Sequence, residues 1–243
     1  MSHTIAIETS NEGARPQVEL SLIGPSACFA GVAIADSNGA HLGTEPLTPQ
    51  SRHDDDLIPA IDRLTRRLGL APRDIARVAV SVGPGGYTAV RIAVSAARML
   101  CESLGCLGVA VPSALVAAVH ATRALPGVPV AIFLASKRES AYLSLFSPDL
   151  QPIGSPTLAD PAAARTLLEH HRITAAFADH HLPEAIARTL ESIGVKAHPL
   201  ALSPEACLIA ARSMPEVPPD LILPIYAREP EAVRLWESRT EPR

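Results

Sequence analysis

Two stretches of this chain hold residues of a kind and spacing that could do chemistry. Glu8 ends an apolar run over residues 3–8 and leads directly into Thr9, Ser10 and Asn11. A carboxylate and a hydroxyl at a strand exit can orient a metal-bound or phosphate-bound ligand, but they can equally pair with an arginine or cap a turn. The second stretch is Ser81-Val82-Gly83-Pro84-Gly85-Gly86-Tyr87-Thr88-Ala89-Val90-Arg91-Ile92. Here three glycines and a proline connect a strand-like run over 77–82 to a helical pattern beginning at Thr88. Glycine lets a ligand or another chain approach the backbone closely, and a helix N-terminus presents unpaired N–H groups to an anion. Gly83, Gly85, Gly86 and Thr88 are therefore candidates for a phosphate-facing loop, with Glu8 and Thr9 beside it. The same spacing also fits a plain strand-to-helix turn capped by Thr88.

Neither common nucleotide fingerprint is present. No lysine follows the glycines, as a G-x-x-x-x-G-K-[ST] loop requires, and Thr88 stands where G-x-G-x-x-G needs its third glycine. The histidines supply no alternative site. His170-His171 and His180-His181 are adjacent pairs without the i, i+4 spacing that aims two imidazoles the same way on a helix. His53 precedes Asp54, Asp55 and Asp56, which resembles a metal cluster. Consecutive helical residues do not face one another, so favourable charge in a first helical turn accounts for them better. No G-x-S-x-G elbow occurs. Catalytic and metal-ligating residues are thus expected to be none.

The elements that must position these residues can be read from periodicity. An apolar fraction of 47% with 3% aromatics describes an Ala/Val/Leu/Ile-rich α/β protein, and 243 residues make one large domain or two small ones. A net charge of −4 provides no general attraction to nucleic acid. Cys28, Cys101, Cys106 and Cys207 form no CxxC pair and read as small buried residues in a reducing compartment. The chain enters its first strand at Thr4 without a signal peptide, and Pro112, His120, Arg123, Pro126 and Pro129 interrupt its least charged stretch. A soluble, cytoplasmic protein is expected.

Three antiparallel strands are expected near the N-terminus, including a hairpin around Asn38-Gly39. Residues 18–22 also alternate like a strand. A helix is expected over 54–68, with Leu57, Ile58, Ile61, Leu64 and Leu68 on its apolar face and Gly69 as its stop. A second helix, 88–104, is rich in Ala89, Ala93, Ser95, Ala96 and Ala97, a surface on which another helix can pack closely. A strand over 107–111 and a helix over 113–123 follow. Strands are then expected at 130–135, 141–146 and 151–158, a helix opened by Asp160-Pro161, a strand at 173–178, a helix at 183–193, a strand at 195–200 and a helix at 203–214. Strands followed by helices, twice in the same order, imply two related halves: 1–110, 111–214 and a proline-rich tail over 215–243. The tail, which carries Trp236, is expected to dock on the body or on another subunit.

Ala6-Ile7-Glu8-Thr9-Ser10, His53 with Leu57-Ile58-Pro59, the loop from Gly83 to Ile92, and Pro224-Ile225-Tyr226-Ala227-Arg228 together resemble the TsaB (YeaZ) family. Its patterns run A-I-D-T-S, H-S-x-x-L-x-P, G-P-G-S-F-T-G-L-R-I-G and P-x-Y-x-R. The resemblance implies two tandem RNase H-like domains of the actin/hexokinase/Hsp70 superfamily. It also implies a non-catalytic subunit that pairs with, and keeps active, a TsaD-like transferase making threonylcarbamoyladenosine beside the tRNA anticodon. A TsaE-like ATPase would be the third component. Pairing through the two N-terminal-domain helices would use Leu57, Ile61, Ala89, Arg91, Ala93 and Ala97, and the isolated chain could form a homodimer. tRNA would be met only through the complex, no membrane is implied, and no cofactor is firm, with ATP a candidate at the partner interface.

TsaD-like proteins carry H-x-x-x-H on the first of these helices; here His53 is followed four residues later by Leu57. Glu8 replaces the family Asp, Gly86 a Ser, Tyr87 a Phe, Ala89 and Ala93 two glycines, and Ala135 an Asp; residues 13–28 look like an insertion. The alternative function is an ATP-binding phosphotransferase or ATPase of the same superfamily. Peptidase activity has no nucleophile–base pair in the sequence to support it.

Overall fold

The computed structural model describes residues 2–10, 30–48, 53–179 and 181–228, with the backbone alone at 53–55 and 135–136. The expected strand over 18–22, the 13–28 insertion, Cys28 and Trp236 lie outside the described residues, as do the side chains of His53 and Ala135.

β1 (His3–Glu8) is buried along its whole length and forms the centre of the first sheet. It pairs antiparallel with β2 (Gly31–Ala35), which pairs antiparallel with β3 (His41–Pro46). On its other side it pairs parallel with β4 (Ile75–Ser81), followed by the parallel β5 (Leu107–Val111). The second sheet repeats this arrangement around β6 (Val130–Lys137). The antiparallel β7 (Ser140–Phe146) and β8 (Thr157–Ala159) lie to one side, the parallel β9 (Ala175–Ala178) and β10 (Lys196–Pro199) to the other. Both orders, β3-β2-β1-β4-β5 and β8-β7-β6-β9-β10, come from an antiparallel meander followed by two parallel strands.

Side-chain alternation sets the layers. Ile5, Ile7, Val32, Ile34, Val78 and Val80 form the outer face of the first sheet, packed with Leu57, Ala60, Ile61 and Leu64 of α1 (His53–Arg67) and Val90, Ala93, Val94 and Ala97 of α2 (Tyr87–Leu104). Its inner face is small: Ala6, Ala33, Ala35 and Ala79. These alanines let α6 (Pro204–Ala210) pack directly on β1 and β2, with α3 (Ser113–Ala124) bridging to β6. The same buried cluster includes Val130, Ile132, Leu134 and Phe177, so one central core serves both sheets. α4 (Pro161–His170) and α5 (Glu184–Ser192) cover the far face of the second sheet through Leu168, Ile186 and Leu190.

Most expected elements are present, and the differences have local causes. α1 ends before Gly69, whose φ of 68° suits glycine. Ile58, expected on its apolar face, is 43% exposed because it lies about 100° around the helix from Leu57. The strand expected over 151–158 is reduced to β8 and an isolated bridge between Phe146 and Pro152, since Pro152 and Pro156 lack the N–H a ladder needs. Asp160 and Ser203 cap α4 and α6 through Ala163 N and Ala206 N, as their positions predict. Thr88 does not cap α2: the cap position is Gly86, without a side-chain bond, and the helix starts at Tyr87. The tail docks on its own chain over the described part, with Val217 bridging Gly108 of β5 and Ile222 fully buried against the outer face.

Candidate functional site

The glycine loop leaves the C-terminal end of β4 and is filled from both sides by its own chain. Gly83 has φ 97° and the Gly83–Pro84 peptide is cis. Its carbonyl accepts from Ser113 N at 2.8 Å, which ties the loop to the start of α3. Gly86 N donates to Ser10 O at 2.6 Å, and Thr9 Oγ1 donates to Ala89 O at 3.1 Å. A Cβ on Gly85 would fall 1.9 Å from Ser10 O, so the exit of β1 runs against a position where only glycine fits. From the other side, Ile225 N donates to Val82 O at 2.7 Å, and Ile225 O lies 2.6 Å from where a Gly83 Cβ would be.

The Gly86 amide is bonded to Ser10 O and the Ile225 carbonyl faces Gly83, so these two positions are taken up by the chain's own backbone. Gly83 and Gly85 make room for the two passing backbones, whereas a Cβ on Gly86 would meet nothing closer than 3.8 Å.

Beneath the loop lies a buried polar chain on the inner side of β1. Ser10 N and Ser10 Oγ both donate to Glu8 Oε1, at 2.7 and 2.6 Å. Ser81 Oγ is 3.5 Å from Ser10 Oγ and shares a 2.8 Å hydrogen bond with Ser113 Oγ. Glu8 is 1% exposed and its Oε2 has no hydrogen-bond partner among the described residues. Burial pushes the Glu8 carboxyl above the usual range, against the lowering effect of the serine hydrogen bonds. Of the alternatives open for Glu8, the turn cap is the one present, since its Oε1 accepts from Ser10 N two residues on; no arginine reaches it among the described residues. Cys207 Sγ lies 3.8 Å from Ile7 O, and burial, aided by Glu8, raises its thiol well above the usual value.

Several groupings are legible only in three dimensions. Asp56 receives Arg63 Nη1 at 2.9 Å and Thr48 N at 2.6 Å, and Arg63 Nε reaches Glu45 Oε1 at 2.8 Å. The Arg63 guanidinium holds the Asp56 carboxyl down at about 2. So Asp56 ties α1 to β3, beyond favouring its own first turn. His120 Nε2 shares a 3.1 Å hydrogen bond with Ser203 Oγ, but the pair is buried and the Ser203 oxygen also caps α6. Burial drives the His120 imidazole down to about 4. Among the described residues no group of three His, Cys, Asp or Glu side chains is placed to hold a metal ion. A polar cleft of about 400 Å³ opens at the opposite end of β1, lined by His3, Asp36, Arg77, Arg212 and Glu216.

The model of the family described as tRNA N6-adenosine threonylcarbamoyltransferase, TsaD, matches residues 33–165, more than half of the chain. The chain belongs to the TsaD family. Within it, the chain is similar to proteins named TsaB or YeaZ. It is 43% identical over 47 residues to the tRNA threonylcarbamoyladenosine biosynthesis protein TsaB of Bacillus subtilis (strain 168). That match spans 19% of this chain and only 20% of the relative. YeaZ from Pseudomonas aeruginosa has a TM-score of 0.64 at 20% identity, with 93% of this chain and all of that one covered. A second Pseudomonas aeruginosa structure, described as an uncharacterized protein with similarity to peptidase YeaZ, gives 0.66 at 22% identity, covering 94% of this chain and 100% of that one. These two likenesses establish the α/β fold with its two mixed sheets.

The residues expected to meet a partner divide sharply. Leu57, Ile61, Ala93 and Ala97 are buried in the chain's own outer-face core, at 2, 8, 0 and 0% exposure, and Ala89 is buried at 2% beside the exit of β1, where its carbonyl accepts from Thr9 Oγ1. The small residues of α2 therefore meet β4 of their own sheet, because an α-helix on a sheet buries the stripe that sequence alone shows as closely packable. Arg91 alone of the six is exposed, lying over the Tyr87 ring at 4.9 Å and donating to Tyr87 Oη at 2.8 Å. Tyr87 is 50% exposed and tilts against Tyr226, with ring centroids 5.3 Å apart. The free faces of α1 and α2 thus carry Ile58, Tyr87, Arg91 and Met99.

Proposed function

We propose that this chain is a non-catalytic scaffold and activator subunit in the formation of threonylcarbamoyladenosine beside the tRNA anticodon, in the cytoplasm. Its partner is a TsaD-like transferase, with a TsaE-like ATPase as third component and tRNA met only through the complex. The reading takes the two halves as tandem RNase H-like domains, in keeping with their shared strand order. The observation that carries it is the glycine loop, where the Ser10 carbonyl packs on Gly85 and the Ile225 carbonyl faces Gly83, so the loop serves packing within the chain. The position matching the second histidine of a TsaD-like H-x-x-x-H pattern supports it, for Leu57 has no ligand atom and is buried in the core. Pairing uses the exposed side of α1 and α2, with Ile58, Tyr87 and Arg91 in place of the buried alanines.

Size-exclusion chromatography with light scattering, with and without a TsaD-like partner, tests the pairing. A 1:1 complex supports it, and no complex at micromolar concentrations overturns it. In cells, deleting the gene is expected to abolish the tRNA modification; normal modification in the deletion strain would refute the role.

A further inference from the structure

We propose that residues 222–228 form a latch joining the glycine loop of the first sheet to the β6–β7 turn of the second, opening and closing as one unit. At one end Ile222 is fully buried in the outer-face core. Ile225 N then bonds Val82 O at 2.7 Å, its carbonyl lies across Gly83, and Tyr226 leans on Tyr87. At the other end, Arg228 Nη2 donates to Lys137 O at 2.8 Å, Ser140 O at 2.9 Å and Ser140 Oγ at 2.7 Å. These acceptors flank the turn in which Arg138 has φ 58°. A single Arg228 nitrogen, Nη2, thus reaches both residues of the Lys137–Ser140 pair that closes the turn, as charge-assisted hydrogen bonds to neutral acceptors. Only two residues lie between Ile225 and Arg228, a backbone reach of at most about 11 Å over three residue steps, to which the Arg228 side chain adds its own length. The ends of β4 and β6 are therefore bridged by a short chain with little slack.

Two features make this a latch instead of a fixed part of the core. The central core of α3, α6 and both sheets already holds the halves together without it. Beyond Ile222 the segment buries no side chain, and Tyr226 is 36% exposed. Segments with few buried contacts and partly solvated hydrogen bonds open at far lower free energy than the whole domain. Gly83 has its own place in this device: any side chain there would strike the Ile225 carbonyl, so the glycine serves as the latch's seat.

Site-resolved amide hydrogen exchange on the full chain tests the proposal. Arg228→Ala is expected to speed exchange of the Ile225 amide by about tenfold, while the amides of Ile7 and Ile132 in the central strands keep their protection. Arg228→Lys, which retains charge without the planar fork, is expected to give an intermediate value. Tyr87→Ala, at the opposite anchor, is expected to speed exchange at the Lys137–Ser140 turn, although Tyr87 does not touch it. Unchanged Ile225 protection in Arg228→Ala, or a turn indifferent to Tyr87→Ala, overturns the latch. Because these readouts need no partner, they stand or fall independently of the proposed complex.

Discussion

Two buried titratable side chains, Glu8 and His120, are both pushed toward their neutral forms, and this gives opposite pH signatures. Glu8 is raised by burial, so the folded state holds its proton more tightly than the unfolded chain. The stability it lends is complete below the unfolded value near 4.5 and is lost as pH rises through the raised folded value. Glu8→Gln removes the ionisation and can still accept from Ser10. It is expected to raise the melting temperature at pH 7 by about 2–4 °C and to flatten the profile above pH 4.5, read by calorimetry from pH 4 to 8. His120 runs the other way: its folded value of about 4 lies below the ordinary 6.5. Its contribution is present above 6.5 and falls away as pH drops toward 4, by about 3 kcal/mol in all. A nuclear magnetic resonance titration is expected to find the His120 ring neutral at pH 5, whereas a midpoint near 6.5 would contradict its burial.

At the scale of elements, the glycine loop is a packing device whose glycines are not equivalent. A Cβ at Gly85 meets the Ser10 backbone at 1.9 Å, while one at Gly86 finds nothing closer than 3.8 Å. Gly85→Ala must therefore separate the exit of β1 from the loop and is expected to cost about 3 kcal/mol or more; Gly86→Ala is expected to stay within about 0.5 kcal/mol. Urea denaturation of the two variants checks this, and equal midpoints would contradict the packing. The Asp56–Arg63–Glu45 group works on the same scale, holding α1 to the edge strand β3. Since Asp56 is held at about 2, its contribution lasts down to the ordinary carboxylate range near 3.8 and vanishes as pH falls through 2.

For the molecule as a whole, the two faces of α1 and α2 have separate tasks, and substitutions should separate them. Ala93→Leu overfills the outer-face core and is expected to destabilise the fold by about 1–3 kcal/mol. Ile58→Asp lies on the free side and is expected to leave the melting temperature within about 2 °C while abolishing association with a TsaD-like partner by light scattering. If Ile58→Asp binds as the parent does, the partner surface lies elsewhere. Of the five layers, the central one of α3 and α6 shares one buried cluster with residues of both sheets, although the topology repeats.

Periodicity and punctuation determined nearly all of the elements, because the apolar run of β1, the apolar stripe of α1, the Asp160 and Ser203 caps and the stop at Gly69 are local physics written into neighbouring residues. The sequence also marked the glycine loop and the Pro224-Ile225-Tyr226-Ala227-Arg228 motif as special. What each does was decided by the tertiary structure. A stripe of alanines packs closely against whatever covers it, and spacing cannot say whether that is a partner's helix or the chain's own sheet. A glycine permits close approach, and only the fold shows that the approaching atoms are Ser10 O and Ile225 O, which come from opposite ends of the chain. Glu8 likewise drew attention as a carboxylate, but its unanswered charge follows from the apolar layers closing around it, a property of long-range contacts that neighbouring residues do not encode.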